Sequence, residues 1–105
     1  MLEKTRKQRI EEMLADDPND PFLQYGLAME YVSAGEDEEA ACCFHRLLEM
    51  SPDYVPGYMQ AGRALTRLDR VDEARAVYKA GIAAARERND PHAAEEMASF
   101  LDDLG

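Results

Sequence analysis

Residues 21–52 read PFLQYGLAMEYVSAGEDEEAACCFHRLLEMSP. The segment divides at Ala34-Gly35 into two helical halves, because glycine readily ends a helix. In the second half Ala40, Phe44, Leu47 and Leu48 fall in one stripe, closed by Pro52. Thirty-four residues further on the stripe returns as Ala74, Tyr78, Gly81 and Ile82. Thirty-four residues earlier part of it stands as Ile10, Met13 and Leu14, followed by Pro18. A fixed period of this size is the signature of a helical repeat array.

Six helices are predicted. The first runs from Leu2 to Asp16, with a thin apolar stripe of Leu2, Ile10, Met13 and Leu14 that must dock on the rest of the chain. The run Asp17-Pro18-Asn19-Asp20-Pro21 breaks the chain. Asp20 as cap and Pro21 in the first turn start the next helix, and Gly35 stops it. The acidic run Glu36-Asp37-Glu38-Glu39 opens the third, where carboxylates meet the positive end of the helix dipole. That helix ends near Met50. The fourth spans about Asp53 to Leu68 with Pro56 in its first turn, where the missing N–H costs little. The fifth takes Asp69 or Asp72 as its cap and runs to about Arg88. Asn89-Asp90-Pro91 then repeats the Asn19-Asp20-Pro21 start, and a last helix runs from Pro91 to Leu104. The polar surface of that helix (Glu95, Ser99, Asp102, Asp103) suits a terminal cap. The expected organisation is one domain over residues 1–105. A half-repeat covers 1–18, two repeats cover 21–52 and 53–88, and a capping helix covers 91–104.

Composition narrows the function classes. The net charge is -10, from 22 acidic and 12 basic residues, which argues against nucleic acid as a partner, since phosphate contacts need clustered cations. The densest basic cluster, Lys4, Arg6, Lys7 and Arg9, has Glu3, Glu11 and Glu12 beside it and is expected to be a solvated helix face. There is no apolar signal region and no run long enough to span a membrane. The cytoplasm is the expected compartment. Cys42 and Cys43 are adjacent, about 100° apart on a helix, so a disulfide between them is geometrically poor.

These residues resemble the tetratricopeptide repeat family. Repeat one supplies Gln24, Leu27-Ala28, Tyr31, Gly35, Ala40, Phe44, Leu47 and Pro52. Repeat two supplies Tyr58, Ala61-Gly62, Leu65, Asp69, Ala74, Tyr78 and Gly81, with Arg86 where the family has proline. The resemblance implies an all-α, right-handed solenoid of helix-turn-helix repeats that binds protein segments in its concave face, without catalysis. The physics agrees. Ala28, Gly62, Ala40 and Ala74 are small where helix backbones must approach, and Tyr31, Phe44 and Tyr78 fill the gaps beside them.

The resemblance also implies that the first helix of each repeat lines the concave side. In repeat one Phe22, Tyr25, Met29 and Val32 form a second apolar stripe, about 130° from the packed one. Its equivalent in repeat two is Pro56, Met59, Arg63 and Thr66, with Arg67 beside it, and in the last helix His92, Glu95, Ser99 and Asp102. The expected site is therefore a peptide groove. Phe22, Tyr25, Met29, Val32 and Met59 would hold apolar anchors, and Arg63 and Arg67 a carboxylate or phosphate. In the plainer alternative the stripe is covered by the first helix or by a second copy, and the arginines pair with Glu95 and Asp102. A homo-oligomeric scaffold built on Phe22, Tyr25 and Met29 is the runner-up function.

Some family members clamp the C-terminal carboxylate of chaperones with lysine, asparagine and arginine. The matching positions here are Tyr25, Met29, Gln60, His92 and Glu96, so that ligand is not expected. No phosphate loop, zinc helix or nucleophile elbow is present, and no cofactor is expected. Cys42 and His45 share a helix face, but two ligands do not close a tetrahedral metal site.

Overall fold

A computed structural model describes residues 3–105. Helices α1 (Arg6–Asp16), α2 (Pro21–Ser33), α3 (Asp37–Met50), α4 (Val55–Arg67), α5 (Val71–Glu87) and α6 (Pro91–Asp103) follow one another without a strand among the described residues. Each helix packs on its neighbours in sequence, and α4 also touches α6. The result is elongated, 50 × 28 × 20 Å.

The first helix begins later than expected. Thr5 caps α1: its Oγ1 accepts from Gln8 N at 3.1 Å, and Gln8 Oε1 accepts from Thr5 N at 2.9 Å. This reciprocal pairing satisfies two N-terminal donors at once and sets the start at Arg6. Leu2, assigned to the stripe of this helix, lies outside the described residues.

Three helices end in one motif. Gly35, Asp69 and Asn89 all have positive φ, at 75°, 61° and 56°. After each, the next amide reaches back to the third-last carbonyl of its helix: Glu36 N to Tyr31 O, Arg70 N to Leu65 O and Asp90 N to Ala85 O, at 2.8–2.9 Å. These are Schellman closures. Asp69 thus ends α4 rather than starting α5. The residue before α5 is Arg70, which makes no side-chain cap, and Asp72 lies inside the helix. Asn89, read as part of a start signal, closes α5. The start of α6 belongs to Asp90, whose carboxylate accepts from Ala93 N at 3.1 Å.

Two core clusters run along the array. One gathers Ala28, Ala40, Cys43, Phe44, Leu47 and Ala61 from α2, α3 and α4. The other gathers Leu65, Ala74, Tyr78, Ile82, Ala94, Met97 and their neighbours from α4, α5 and α6. Val77 packs against both. Ala28, Ala40 and Ala74 are fully buried, as their small size requires at backbone crossings. Among the described residues no buried polar side-chain atom lacks a partner.

Candidate binding groove

Asp20 sets the start of α2. Its Oδ1 accepts from Phe22 N at 2.9 Å and from Leu23 N at 3.4 Å, while Pro21 supplies a preformed φ. This places Phe22 in the first turn with its ring outward, 72% exposed. Met13 of α1 is 51% exposed beside it. These two, with Ile10, Tyr25 and Met29, line a cavity of about 370 Å³ between α1 and α2. Gly26 lies at its floor, where a Cβ would meet Ile10 Cδ1 at 3.5 Å. Arg6 and Arg9 also line it. Apolar walls with a few charged groups are the usual composition of a binding pocket.

Tyr25 behaves differently from Phe22. Its ring lies between Phe44, with centroids 6.0 Å apart, and Tyr54, 5.5 Å apart, both tilted. It is half-buried, and burial, then the nearby Tyr54, push its phenol pKa up. Tyr25 thus forms both the wall of the cavity and the edge of the core. Met29 and Val32 pack against the cluster around Phe44. Met59 packs against the cluster around Tyr78.

The two arginines of α4 are already engaged. Arg67 donates through Nε to Asp37 Oδ1 of α3 at 3.0 Å, and the Nη2–Oδ1 ion pair is also 3.0 Å. Arg63 sits 5.5 Å above the ring of Phe100 in α6, a cation–π contact. The structure therefore brings Phe22, Tyr25 and Met29 into one cavity and places Val32, Met59, Arg63 and Arg67 off its wall. Besides Leu23 and Gly26, the four residues that α1 gives to that wall, Arg6, Arg9, Ile10 and Met13, were not among the expected site residues. Their positions carried a signal. They stand thirty-four residues before Ala40, Cys43, Phe44 and Leu47, the side of α3 that packs under α2.

The other chemistry-bearing side chains are dispersed. Cys42 is exposed and Cys43 buried, with burial pushing the Cys43 thiol pKa up. His45 pairs with Glu49 at 3.3 Å, and His92 with Glu96 at 2.8 Å, each one turn along its own helix. Among the described residues no three His, Cys, Asp or Glu side chains are placed to hold a metal ion. No helix among them is long and apolar enough to cross a membrane.

No protein-family model matches the chain. A TPR repeat-containing protein of Pseudomonas aeruginosa, PA0015, is 34% identical over 92 residues, which are 88% of each chain. The solution structure of a tetratricopeptide repeat domain protein from Salinibacter ruber is 36% identical, with a TM-score of 0.78, over 83% of this chain and 88% of that one. The TPR2B domain of yeast Sti1, solved in complex with pHsp70, shares the fold at 18% identity and a TM-score of 0.87, over 93% of this chain and 78% of that one. Identity of this degree along nearly the whole length, on six helices that pack in sequence, means that the chain belongs to the tetratricopeptide repeat family.

Proposed function

We propose that this protein is a non-enzymatic interaction module that holds a peptide or helical segment of another protein in its concave groove, anchored in the cavity between α1 and α2. The observation that carries this is the exposure of Phe22 beside Met13 on an otherwise charged chain of net charge -10. A large aromatic side chain that could bury its surface and does not is a standing source of binding free energy. Phe22, Tyr25 and Met29 are the anchors. Arg63 and Arg67, held by Phe100 and Asp37, tie adjacent helices together. Two repeats flanked by half-repeats act as one unit, the cytoplasm is the compartment, and nucleic acid, membranes and chaperone C-terminal tails are not ligands. The family fold supports a protein partner in general, and the solved Sti1 complex is one instance of it.

The test is selection from a phage-displayed library of random peptides, about 15 residues long so that each can form four turns, with the parent and Phe22→Glu as baits. Peptides that bind the parent and lose the Phe22→Glu variant support the function. Peptides that bind both alike overturn it. The runner-up, a symmetric scaffold, is read from solution mass. A parent dimer split by Phe22→Glu would show the stripe to be a self-association surface.

A further inference from the structure

α2 packs along α3, with its Ala28 fully buried in the cluster of Ala40, Cys43 and Phe44 that Ala61 of α4 completes. One period earlier, the groove between α1 and α2 has no helix on it among the described residues, and the four matching positions of α1 line the open cavity. Two of them have changed character. Arg6 stands where α3 has the fully buried Ala40, and Arg9 where it has the buried Cys43. The other two, Ile10 and Met13, keep the apolar character of Phe44 and Leu47.

We infer that the segment bound here is an amphipathic helix whose apolar stripe is flanked by carboxylates, seated in the place that α2 holds one repeat later and paired with Arg6 and Arg9. This rests on the proposed function and names the chemistry of its partner. The helical form is drawn from the precedent inside the chain, where the matching face of α3 takes a helix. The acidic flank is drawn from charge. Residues 4–9 contain four cations and no carboxylate, on a chain of net charge -10. Lys4 is taken up by Glu12 at 2.5 Å, and Lys7 lies 4.4 Å over the Tyr31 ring. Arg6 makes a single contact to Glu30 at 3.4 Å with its side chain 79% exposed, and Arg9 makes no ion pair among the described residues. Two cations on the rim of an apolar cavity select for carboxylates and against cations. The occupant sits farther out than α2 does on α3, because the arginine side chain fills the space that Ala40 leaves for Ala28. Phe22 to Met29 is two turns, so anchors at i, i+3 or i+4, and i+7 span the cavity.

The same peptide selection supplies the test, read for composition and then for affinity. Peptides enriched on the parent carry apolar residues at that helical spacing with Asp or Glu on the flanks. A labelled peptide of this kind loses roughly tenfold or more in affinity against Arg9→Glu, binds less at high salt, and recovers when its flanking acids become lysine. Arg9 is exposed, so the variant keeps the parent melting curve, and Arg9→Gln gives an intermediate loss. Peptides with no acidic excess, or an affinity that Arg9→Glu leaves unchanged, overturn the inference. If those peptides still depend on Phe22, the function stands and only the partner chemistry falls. If they ignore Phe22, the function falls with it. A solution mass that rises with concentration and is reset by Arg9→Glu makes the occupant a second copy, which also overturns the assignment.

Discussion

Tyr78 occupies the space that a side chain at position 62 would need. A Cβ built on Gly62 overlaps the Tyr78 ring at Cε1, Cζ and Cδ1. Tyr78 is 2% exposed, stacked on Phe100 at 5.8 Å, and has nowhere to move. Gly62→Ala sets two effects against each other. Helix propensity favours alanine by about 1 kcal/mol, while overpacking a filled core costs about 1–3 kcal/mol. With a Cβ this deep in the ring the steric term wins, and urea unfolding is expected to show a net loss of up to about 2 kcal/mol. Gly26→Ala is the control, because its Cβ would make ordinary contact with Ile10 at 3.5 Å. That variant is expected to gain up to about 1 kcal/mol. Ala40→Glu buries a charge at a fully enclosed site and is expected to abolish the cooperative transition.

The three Schellman closures give a graded series at one backbone geometry. Gly35 has a positive φ with open space around its Cα, so Gly35→Ala is strained without being crowded. It is expected to cost about 1 kcal/mol. Asp69 and Asn89 hold the same geometry with side chains that tolerate it less well than glycine. Asp69→Gly and Asn89→Gly are each expected to add a few tenths to about 1 kcal/mol. Chemical denaturation of the three variants, compared on midpoint at constant slope, checks the sign of each.

The repeat is legible in the sequence because packing constrains size at fixed positions. Ala40 and Ala74 are small, and Phe44 and Tyr78 large, for the same reason in each repeat, and thirty-four residues separate each pair. Chain reversals are less legible. Asp69 and Asn89 serve equally well as helix caps or as left-handed residues, and only the surrounding hydrogen bonds decide between them. The capping pair Thr5 and Gln8 stands in the sequence with its usual spacing, yet the apolar Leu2 points to an earlier start than the one the pair enforces. The groove is half legible. Phe22, Tyr25 and Met29 share a stripe, but the sequence does not show that Tyr54, from the turn before α4, folds over Tyr25 and leaves Phe22 bare. The partners of Arg63 and Arg67 depend on how one repeat is rotated on the next. They are Phe100 and Asp37, where the sequence suggested a ligand's carboxylate or phosphate or, in the alternative, Glu95 and Asp102.

Alkaline pH should destabilise the fold. Burial raises the pKa of the phenols of Tyr25, Tyr54, Tyr58 and Tyr78 and of the Cys43 thiol. Each group is neutral when protonated, so the folded state holds these protons more tightly than the unfolded chain does. The resulting stability is fully present below the unfolded values, near 8.5 for a thiol and about 10 for a phenol. It is lost as pH rises from there through the higher folded values. Stability measured by urea unfolding is expected to be level in this respect up to about pH 8.5 and to fall steadily above it. Replacing Cys43 with alanine removes the earliest part of that fall. A stability that rises between about pH 9 and about pH 11, across the thiol and phenol ranges, contradicts the burial of these groups.

Phe22 and Tyr25 lie on one stripe of α2 and should separate binding from folding. Phe22 is 72% exposed and touches little, so Phe22→Ala is expected to change stability by no more than about 0.5 kcal/mol. Tyr25 packs on Phe44 and Tyr54, so Tyr25→Ala opens the core edge and is expected to cost about 2 kcal/mol. Both remove apolar surface from the cavity, and both are expected to weaken a groove-bound peptide by roughly tenfold or more. The discriminating measurement is a pair of numbers for each variant, unfolding free energy and peptide affinity. Phe22→Ala should move only the second, and Tyr25→Ala should move both. An affinity that follows stability across the two variants would mean that the peptide senses the integrity of α2 and not the side chains on its exposed face. An affinity lost equally in both, at unequal stability, ties binding to the aromatic surface itself.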